Sequence, residues 1–204
     1  MFDAKRLLKS VERAEKRGIT MTFSGNAVYL CADSWMAVTT FDNILKYYRE
    51  LLGHLVEVLG RIPGDETVKV LRAKGDYVVE AVMQEVAAGD IAFFAEHGKE
   101  WPLQNTGLYW RGSMYQDQSK RIYRCQVQGP HLDGDVFLTD GKKLMTRDWD
   151  TDEAVFEIAY RPTYEAPERE LQLWEHLESV WWVDWKGDCC DDWEQIAMSS
   201  AEDM

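Results

Sequence analysis

The chain has 204 residues, of which 46% are hydrophobic and nine are tryptophan, and this apolar content excludes an intrinsically disordered chain. No apolar run approaches the ~20 residues that a membrane-spanning helix needs. The formal net charge of −13 comes from the C-terminal third of the sequence. Residues 131–204 hold 20 Asp and Glu against 6 Lys and Arg, a balance of −14.

The N-terminal part is predicted to be a basic helix followed by a hairpin. The helix covers residues 3–17, with Asp3 capping its start and Gly18 ending it. Its apolar face consists of Ala4, Leu7, Leu8, Val11 and Ala14. Its outer face carries Arg6, Lys9, Arg13, Lys16 and Arg17. This face fits either a surface for phosphate or an acidic partner, or an ordinary solvated face. The hairpin has strands over 19–23 and 27–31.

A second helix is predicted over about 42–59, because apolar residues repeat at spacings of three and four. These residues are Leu45, Tyr48, Leu52, Leu55 and Leu59. His54 lies inside this helix and is interpreted as a packing residue. The stretch 67–98 is ambiguous: it fits a strand followed by two short helices, the first of which Asp76 would cap.

The remaining chain is predicted to contain strands and one last helix. The candidate strands cover residues 107–111, 121–128, 135–139, 142–146 and 154–160. The dipeptide Asp140-Gly141 favours a hairpin between two of them, and a helix over about 168–185 follows. Together these elements predict an α+β fold: N-terminal helices with a hairpin, then an antiparallel β-meander of four or five strands packed by a C-terminal Trp-rich helix.

The length favours a single α+β domain over residues 1–204, with an acidic tail from about residue 187 that we expect to be mobile. The sequence has no internal repeat. Four cysteines without a C-x-x-C pair favour neither a disulfide framework nor a zinc site. The charged N-terminus lacks the apolar segment of a secretory signal, so the predicted location is the cytoplasm.

Most catalytic motifs are absent from the sequence, including G-x-G-x-x-G, G-x-S-x-G and H-E-x-x-H. The one compact group of His and carboxylates is His131, Asp133 and Asp135, which would share one side of an extended strand. These three residues could serve a metal-dependent hydrolase. They also fit a turn after Pro130, so no catalytic residue, metal or cofactor is assigned.

Tryptophans and carboxylates are concentrated together near the C-terminus. The predicted partner-binding residues are Trp174, Glu175, Glu178, Trp181, Trp182, Asp184, Trp185, Asp188, Asp191, Asp192 and Trp193. Indole rings are enriched at the energetic centres of interfaces, and a rim of carboxylates attracts basic partners. The alternative is that all five tryptophans are buried and complete the hydrophobic core.

These features favour a non-enzymatic, acidic protein-binding module that occludes a basic surface of a partner protein, as inhibitors, antidotes and nucleic-acid mimics do. Direct binding of nucleic acid or of a membrane is not expected, since the acidic C-terminal third repels polyanions. Two alternatives remain: the metal-dependent hydrolase, and a structural subunit of an oligomer whose surplus aromatic residues form the interface.

Overall fold

The computed structural model describes residues 3–83, 88, 91–92, 98–125, 135–139, 143–150, 153–160 and 168–183. The helices bounded within these residues are α1 (Ala4–Glu15), α2 (Phe41–Tyr47), α3 (Arg49–Leu59), a 3₁₀-helix (Glu168–Glu170) and α4 (Leu171–Ser179). The strands are β1 (Ile19–Ser24), β2 (Ala27–Cys31), β3 (Trp35–Thr40), β4 (Glu66–Ala73), β5 (Asp76–Ala81), β6 (Glu100–Tyr109), β7 (Ser113–Gln116), β8 (Ile122–Cys125), β9 (Val136–Thr139), β10 (Leu144–Asp150) and β11 (Glu153–Tyr160).

The strands of the described residues join one antiparallel sheet, in the order β5-β4-β1-β2-β3-β11-β10-β9-β6-β7-β8. The same scheme of strand pairing occurs twice along the chain. After the meander β1-β2-β3, strand β4 returns to pair with β1, and β5 pairs with β4. After the meander β6-β7-β8, strand β9 returns to pair with β6, and β10 pairs with β9. Strand β11 then joins the two halves by pairing with both β10 and β3.

The predicted architecture, N-terminal helices with a hairpin and then a meander of four or five strands, is therefore wrong. The protein is built mainly on one large antiparallel sheet of eleven strands with four α-helices and one short 3₁₀-helix, counted over the elements bounded within the described residues. The helix that Asp76 was expected to cap is strand β5. Lys74 and Gly75 have positive φ angles of 54° and 97°, which form the tight turn of a β4–β5 hairpin.

The predicted helix over 42–59 is interrupted at Tyr48, which leaves helical geometry with φ −129° and ψ 47°. The side chain of Thr40 caps α2 by accepting a hydrogen bond from the Asn43 amide. The Tyr48 ring is 1% exposed and packs edge-on against Phe156 of β11, with ring centroids 5.2 Å apart. The break thus places an aromatic ring in the core and separates α2 from α3.

The largest apolar cluster lies on the sheet face that α1 and α3 cover. It contains side chains from both halves of the sheet, Phe23 of β1 and Tyr115 of β7 among them, together with Phe156 of the joining strand β11 and Leu55 of α3. Burying each side chain of this size stabilises the fold by roughly 1.5–3 kcal/mol. Because side chains alternate along a strand, a smaller cluster occupies the opposite face. Its buried members are Cys31, Met36, Met145 and Ala159.

The two edges of the sheet differ. At β8, helix α4 packs against the sheet, and Glu178 Oε1 accepts a hydrogen bond from the Ile122 amide at 3.1 Å. At β5, no further strand pairs within the described part of the chain, and Val78 is 45% exposed. Asp76 and Glu80 put charges on this edge, which disfavours pairing with another chain. None of the described helices is long and apolar enough to cross a membrane.

Candidate functional site

Trp174, a predicted partner-binding residue, lies in the interior between α4 and the sheet. Its side chain is 5% exposed and packs with Met114, Ile122 and Leu177. The guanidinium of Arg124 lies 5.3 Å from the centroid of the indole ring, a cation–π contact. Trp174 therefore anchors α4 to the sheet and is not accessible to a partner.

A buried ion-pair cluster lies beside this indole. Glu170 ends the 3₁₀-helix, and its side chain is 8% exposed. Arg124 Nη1 is 3.5 Å from Glu170 Oε2, and Arg111 Nη1 is 3.6 Å from Glu170 Oε1. A carboxylate at this depth needs paired cations, because its desolvation is costly. Since Arg111 belongs to the β6–β7 turn, the cluster fixes the start of α4 against both β8 and that turn.

The chain that follows α4 is held by Gln116 of β7, whose side chain is fully buried. Gln116 Nε2 donates hydrogen bonds to the carbonyl oxygens of Val180 at 2.8 Å and Lys120 at 3.1 Å. Gln116 Oε1 accepts a hydrogen bond from the Trp182 amide at 2.9 Å. These bonds fix the direction in which the chain leaves the helix, and with it the position of Trp181.

Replacing Gln116 with leucine should lower the free energy of unfolding by about 1–3 kcal/mol, because the Val180 carbonyl and the Trp182 amide lose their buried partner. Urea denaturation measures the loss, and amide hydrogen exchange at Trp182 should become faster. Gln172→Leu, on the exposed side of α4, is the matched control and should change stability by less than about 0.5 kcal/mol. Unchanged protection of the Trp182 amide in the Gln116 variant would contradict this role.

The other predicted partner-binding residues differ from Trp174 in their exposure and contacts. Glu175 and Trp181 are exposed, Trp181 at 47%. Glu178 is half-buried and bonded to the β8 backbone, and Trp182 is half-buried and donates from Nε1 to an α4 carbonyl at 2.8 Å. The remaining six lie outside the described residues: Asp184, Trp185, Asp188, Asp191, Asp192 and Trp193. For these six, partner binding stays a prediction.

Exposed apolar side chains lie on α4, just after it, and at the end of β6. We call this set the α4 surface: Tyr109, Trp110, Leu171, Leu173, Val180 and Trp181. Tyr109 is the most exposed of them at 66%. The ion pair between Arg111 and Glu170 holds the β6–β7 turn beside the start of α4, so the two groups of side chains belong to neighbouring segments. Six exposed apolar side chains on these neighbouring segments offer apolar area to a partner.

The charges around the α4 surface are mixed within the described residues. Glu168 and Glu175 are exposed carboxylates. The Lys120 ammonium lies 5.1 Å from the centroid of the Trp181 ring and donates to the Ser179 carbonyl oxygen at 3.5 Å. Four carboxylates of the predicted rim, Asp184, Asp188, Asp191 and Asp192, lie outside the described part of the chain, so the full rim stays a prediction.

The alternative hydrolase site also stays a prediction. His131 and Asp133 lie outside the described residues, and Asp135 is exposed directly before β9. Among the residues that the structure describes, no group of three or more His, Cys, Asp and Glu is placed to hold a metal ion. Burial raises the pKa of the Cys125 thiol to about 12, so this side chain stays protonated at neutral pH and is a poor nucleophile.

A buried pair between α1 and α3 was not predicted. His54 Nε2 lies 2.6 Å from Glu15 Oε1, and the two side chains are 6% and 0% exposed. Burial alone lowers the pKa of His54, but the hydrogen bond to Glu15 and the charges of Glu15, Glu12 and Glu57 outweigh it and raise the pKa above 6.5. Glu15 follows Val11 by four positions, so it extends the apolar face of α1, and this spacing could have revealed it. With so little exposure the pair cannot meet a substrate, and its role is structural.

Comparison with protein-family models, with curated proteins and with solved structures found no match to this chain. The function is therefore inferred from the residues, contacts and charges described above.

Proposed function

We propose that this protein is a non-enzymatic binding module that occludes a basic surface on a partner protein. The observation that carries the proposal is the exposed Trp181, which the Gln116 hydrogen bonds hold in place at the start of the acidic C-terminal segment. Burying an indole of this size contributes strongly at the centre of an interface. Val180, its neighbour in sequence, is 37% exposed and adds apolar area beside it.

Charge complementarity supports a basic partner. Residues 131–204 carry a formal balance of −14. Carboxylates at this density take the place of phosphates and attract clusters of Lys and Arg, which speeds encounter and makes it sensitive to salt. The Trp181 ring already lies near the Lys120 ammonium, and a Lys or Arg side chain of the partner can bind an indole face in the same way.

We place this interaction in the cytoplasm. The sequence has only four cysteines and no C-x-x-C pair, a usage that does not indicate an oxidising compartment. The hydrolase and the structural oligomer subunit are the alternatives, and no contact among the described residues favours either over the binding module.

Replacing Trp181 with alanine should weaken binding to the basic partner by about tenfold or more, because the variant loses the most accessible indole that the structure describes after α4. The partner is first captured from the native host, then purified and titrated calorimetrically. Trp101→Ala is the matched control: Trp101 lies on β6, is 38% exposed and is not part of the α4 surface. The control should bind as the unmodified protein does.

Binding should also weaken steeply as salt rises from about 0.05 M to about 0.5 M, because the charges are then screened. A captured partner without a basic cleft would contradict the proposal. So would equal affinity of the Trp181 and Trp101 variants, or an affinity that does not respond to salt.

A further inference from the structure

A cleft of about 280 Å³ opens between the end of α1, the β2–β3 turn and the start of β1. Arg17 and Lys69 line it together with the hydroxyl-bearing residues Thr20 and Ser34. An adjoining hollow of about 240 Å³ shares Arg17 and Ser34. Two further cations, Arg13 and Lys16, line this second hollow. Four cationic residues therefore line the two hollows, and we call the two hollows together the cationic cleft.

None of these four cations forms an ion pair within the described residues. By contrast, Arg61, Arg111, Arg124 and Arg147 each pair with a glutamate. Like charges held close together repel each other, and in a chain with a net charge of −13 carboxylates are abundant. No ion pair within the described residues therefore neutralises the four cations of the cationic cleft.

Two carboxylates near the cationic cleft do not neutralise its positive charge. Asp33 is the one acidic residue that lines the cationic cleft among the described residues, and it pairs with none of the four cations. Glu80 is the cross-strand neighbour of Lys69 in the β4–β5 hairpin, yet the two side chains form no ion pair. Four cations facing one lining carboxylate favour an anionic ligand.

Gly18 allows Lys69 to reach this position. A Cβ atom at Gly18 would lie 3.3 Å from Lys69 Cε, so the aliphatic stem of the lysine passes directly over the glycine. Gly18 also has a φ of 101°, which a residue with a side chain adopts only with strain. The glycine turn after α1 therefore leaves room for the Lys69 side chain at the cleft that Arg17 also lines.

We propose that the cationic cleft binds a small phosphate-bearing anion, with Arg17 and Lys69 as its principal contacts. A guanidinium binds phosphate oxygens in a two-pronged geometry, an ammonium adds a point charge, and hydroxyl groups donate further hydrogen bonds. The volume lies at the lower end of the range for ligand pockets, which fits a compact polyphosphate better than a large cofactor. The site lies against β1, β2 and β4, whereas α4 packs against β7 and β8, so it is separate from the α4 surface.

The probe for this proposal is inorganic tripolyphosphate, titrated calorimetrically into the full chain. The double variant Arg17→Ala with Lys69→Ala should lower the affinity by about tenfold or more, because it removes both principal contacts. The control is Lys5→Ala with Lys9→Ala, which removes two exposed cations of α1 that do not line the cleft. The control alters the net charge equally and should lower the affinity by less than about twofold.

Both double variants should melt within about 2 °C of the unmodified protein, since all four positions are exposed. Citrate, a tricarboxylate of similar charge, should bind about tenfold more weakly than tripolyphosphate. An equal loss of affinity in the two double variants would show attraction by net charge alone and overturn the site. No binding of tripolyphosphate, or binding of citrate with equal affinity, would overturn it as well.

Discussion

Replacing His54 with alanine should lower the free energy of unfolding by about 3–5 kcal/mol, because the fully buried Glu15 carboxylate then loses its charged partner. One oxygen of this carboxylate, Oε2, already has no hydrogen-bond partner among the described residues, so Glu15 depends on its bond to His54 through Oε1. The loss is measured by urea denaturation near neutral pH. His176→Ala, at an exposed position on α4, is the matched control and should change stability by less than about 0.5 kcal/mol.

The same pair should make stability fall as the pH rises. The pKa of His54 is raised above 6.5 in the folded state, so protonated His54 stabilises the fold fully below the pKa of the unfolded chain. This contribution is lost as the pH rises through the folded-state pKa. Stability measured between about pH 6 and pH 9 should therefore decline in the unmodified protein by more than in a variant without the pair.

The variant for that comparison is Glu15→Met with His54→Leu, which replaces both groups with apolar side chains of similar volume. It should be destabilised by less than His54→Ala, since no charge is left buried. Its stability should vary less over the same pH range. If the His54→Ala protein is as stable as the double variant, or if both proteins respond to pH alike, the pair does not carry the charge that we infer.

Replacing Gly112 with alanine should be destabilising by about 3 kcal/mol or more. A Cβ atom at this position would lie 2.1 Å from the Cys125 carbonyl oxygen and 2.9 Å from the Cys125 carbonyl carbon. Both contacts are with backbone atoms of β8, so β7 and β8 would have to separate where Ser113 pairs with Cys125. The shift would also loosen Arg124, which pairs with Glu170 beside α4.

Gly53→Ala is the matched control for this prediction. Gly53 lies inside α3, and a Cβ atom there would meet nothing within 4 Å. Alanine at this position should stabilise the protein by about 0.5–1 kcal/mol, because it lowers the entropy of the unfolded chain and favours the helix. The two substitutions add the same methyl group and should act in opposite directions in urea denaturation. A Gly112→Ala protein as stable as the unmodified chain would mean that β7 and β8 do not approach this closely.

Local patterns predict the N-terminal elements because a helix and a two-stranded hairpin form their main contacts between residues close in sequence. The first helix is confirmed, and Asp3 accepts hydrogen bonds from the amides of Lys5 and Arg6, as a capping residue does. The hairpin of β1 and β2 is confirmed as well. In α1 the predicted apolar positions Leu7, Val11 and Ala14 are buried, but so are Ser10 and Glu15, which the apolar pattern does not include.

Strands β3 and β6 lack the clear alternation of apolar and polar residues that predicts a strand. β3, Trp35–Thr40, is buried on both faces, so its residues do not alternate between apolar and polar. β6, Glu100–Tyr109, alternates between exposed and partly buried positions and contains Pro102, which weakens a strand prediction. The order of the eleven strands follows from pairings between distant segments, and a single sequence does not show which segments pair.

The partner-binding surface was predicted only in part, because the last helix is shorter than predicted. The spacing of the tryptophans indicates a helix to about residue 185. α4 ends at Ser179, and Val180 has an extended backbone with φ −114° and ψ 144°. Trp174 keeps its predicted place on the apolar face, but Trp181 lies beyond the helix and is exposed. The contact between His54 and Glu15 joins two separate helices, so only the packing of the chain reveals it.

The pairing of β3 with β11 bears on how the protein reaches its native state. Partners in this pairing, such as Thr39 with Phe156 and Trp35 with Tyr160, lie on the order of 120 residues apart in sequence. During synthesis the first five strands can pair locally, but the open side of β3 has no partner until the ribosome has made β11. In that interval the exposed backbone of β3 can pair with β11 of another newly made chain, so exchange of this strand between copies is the misfolding route to expect.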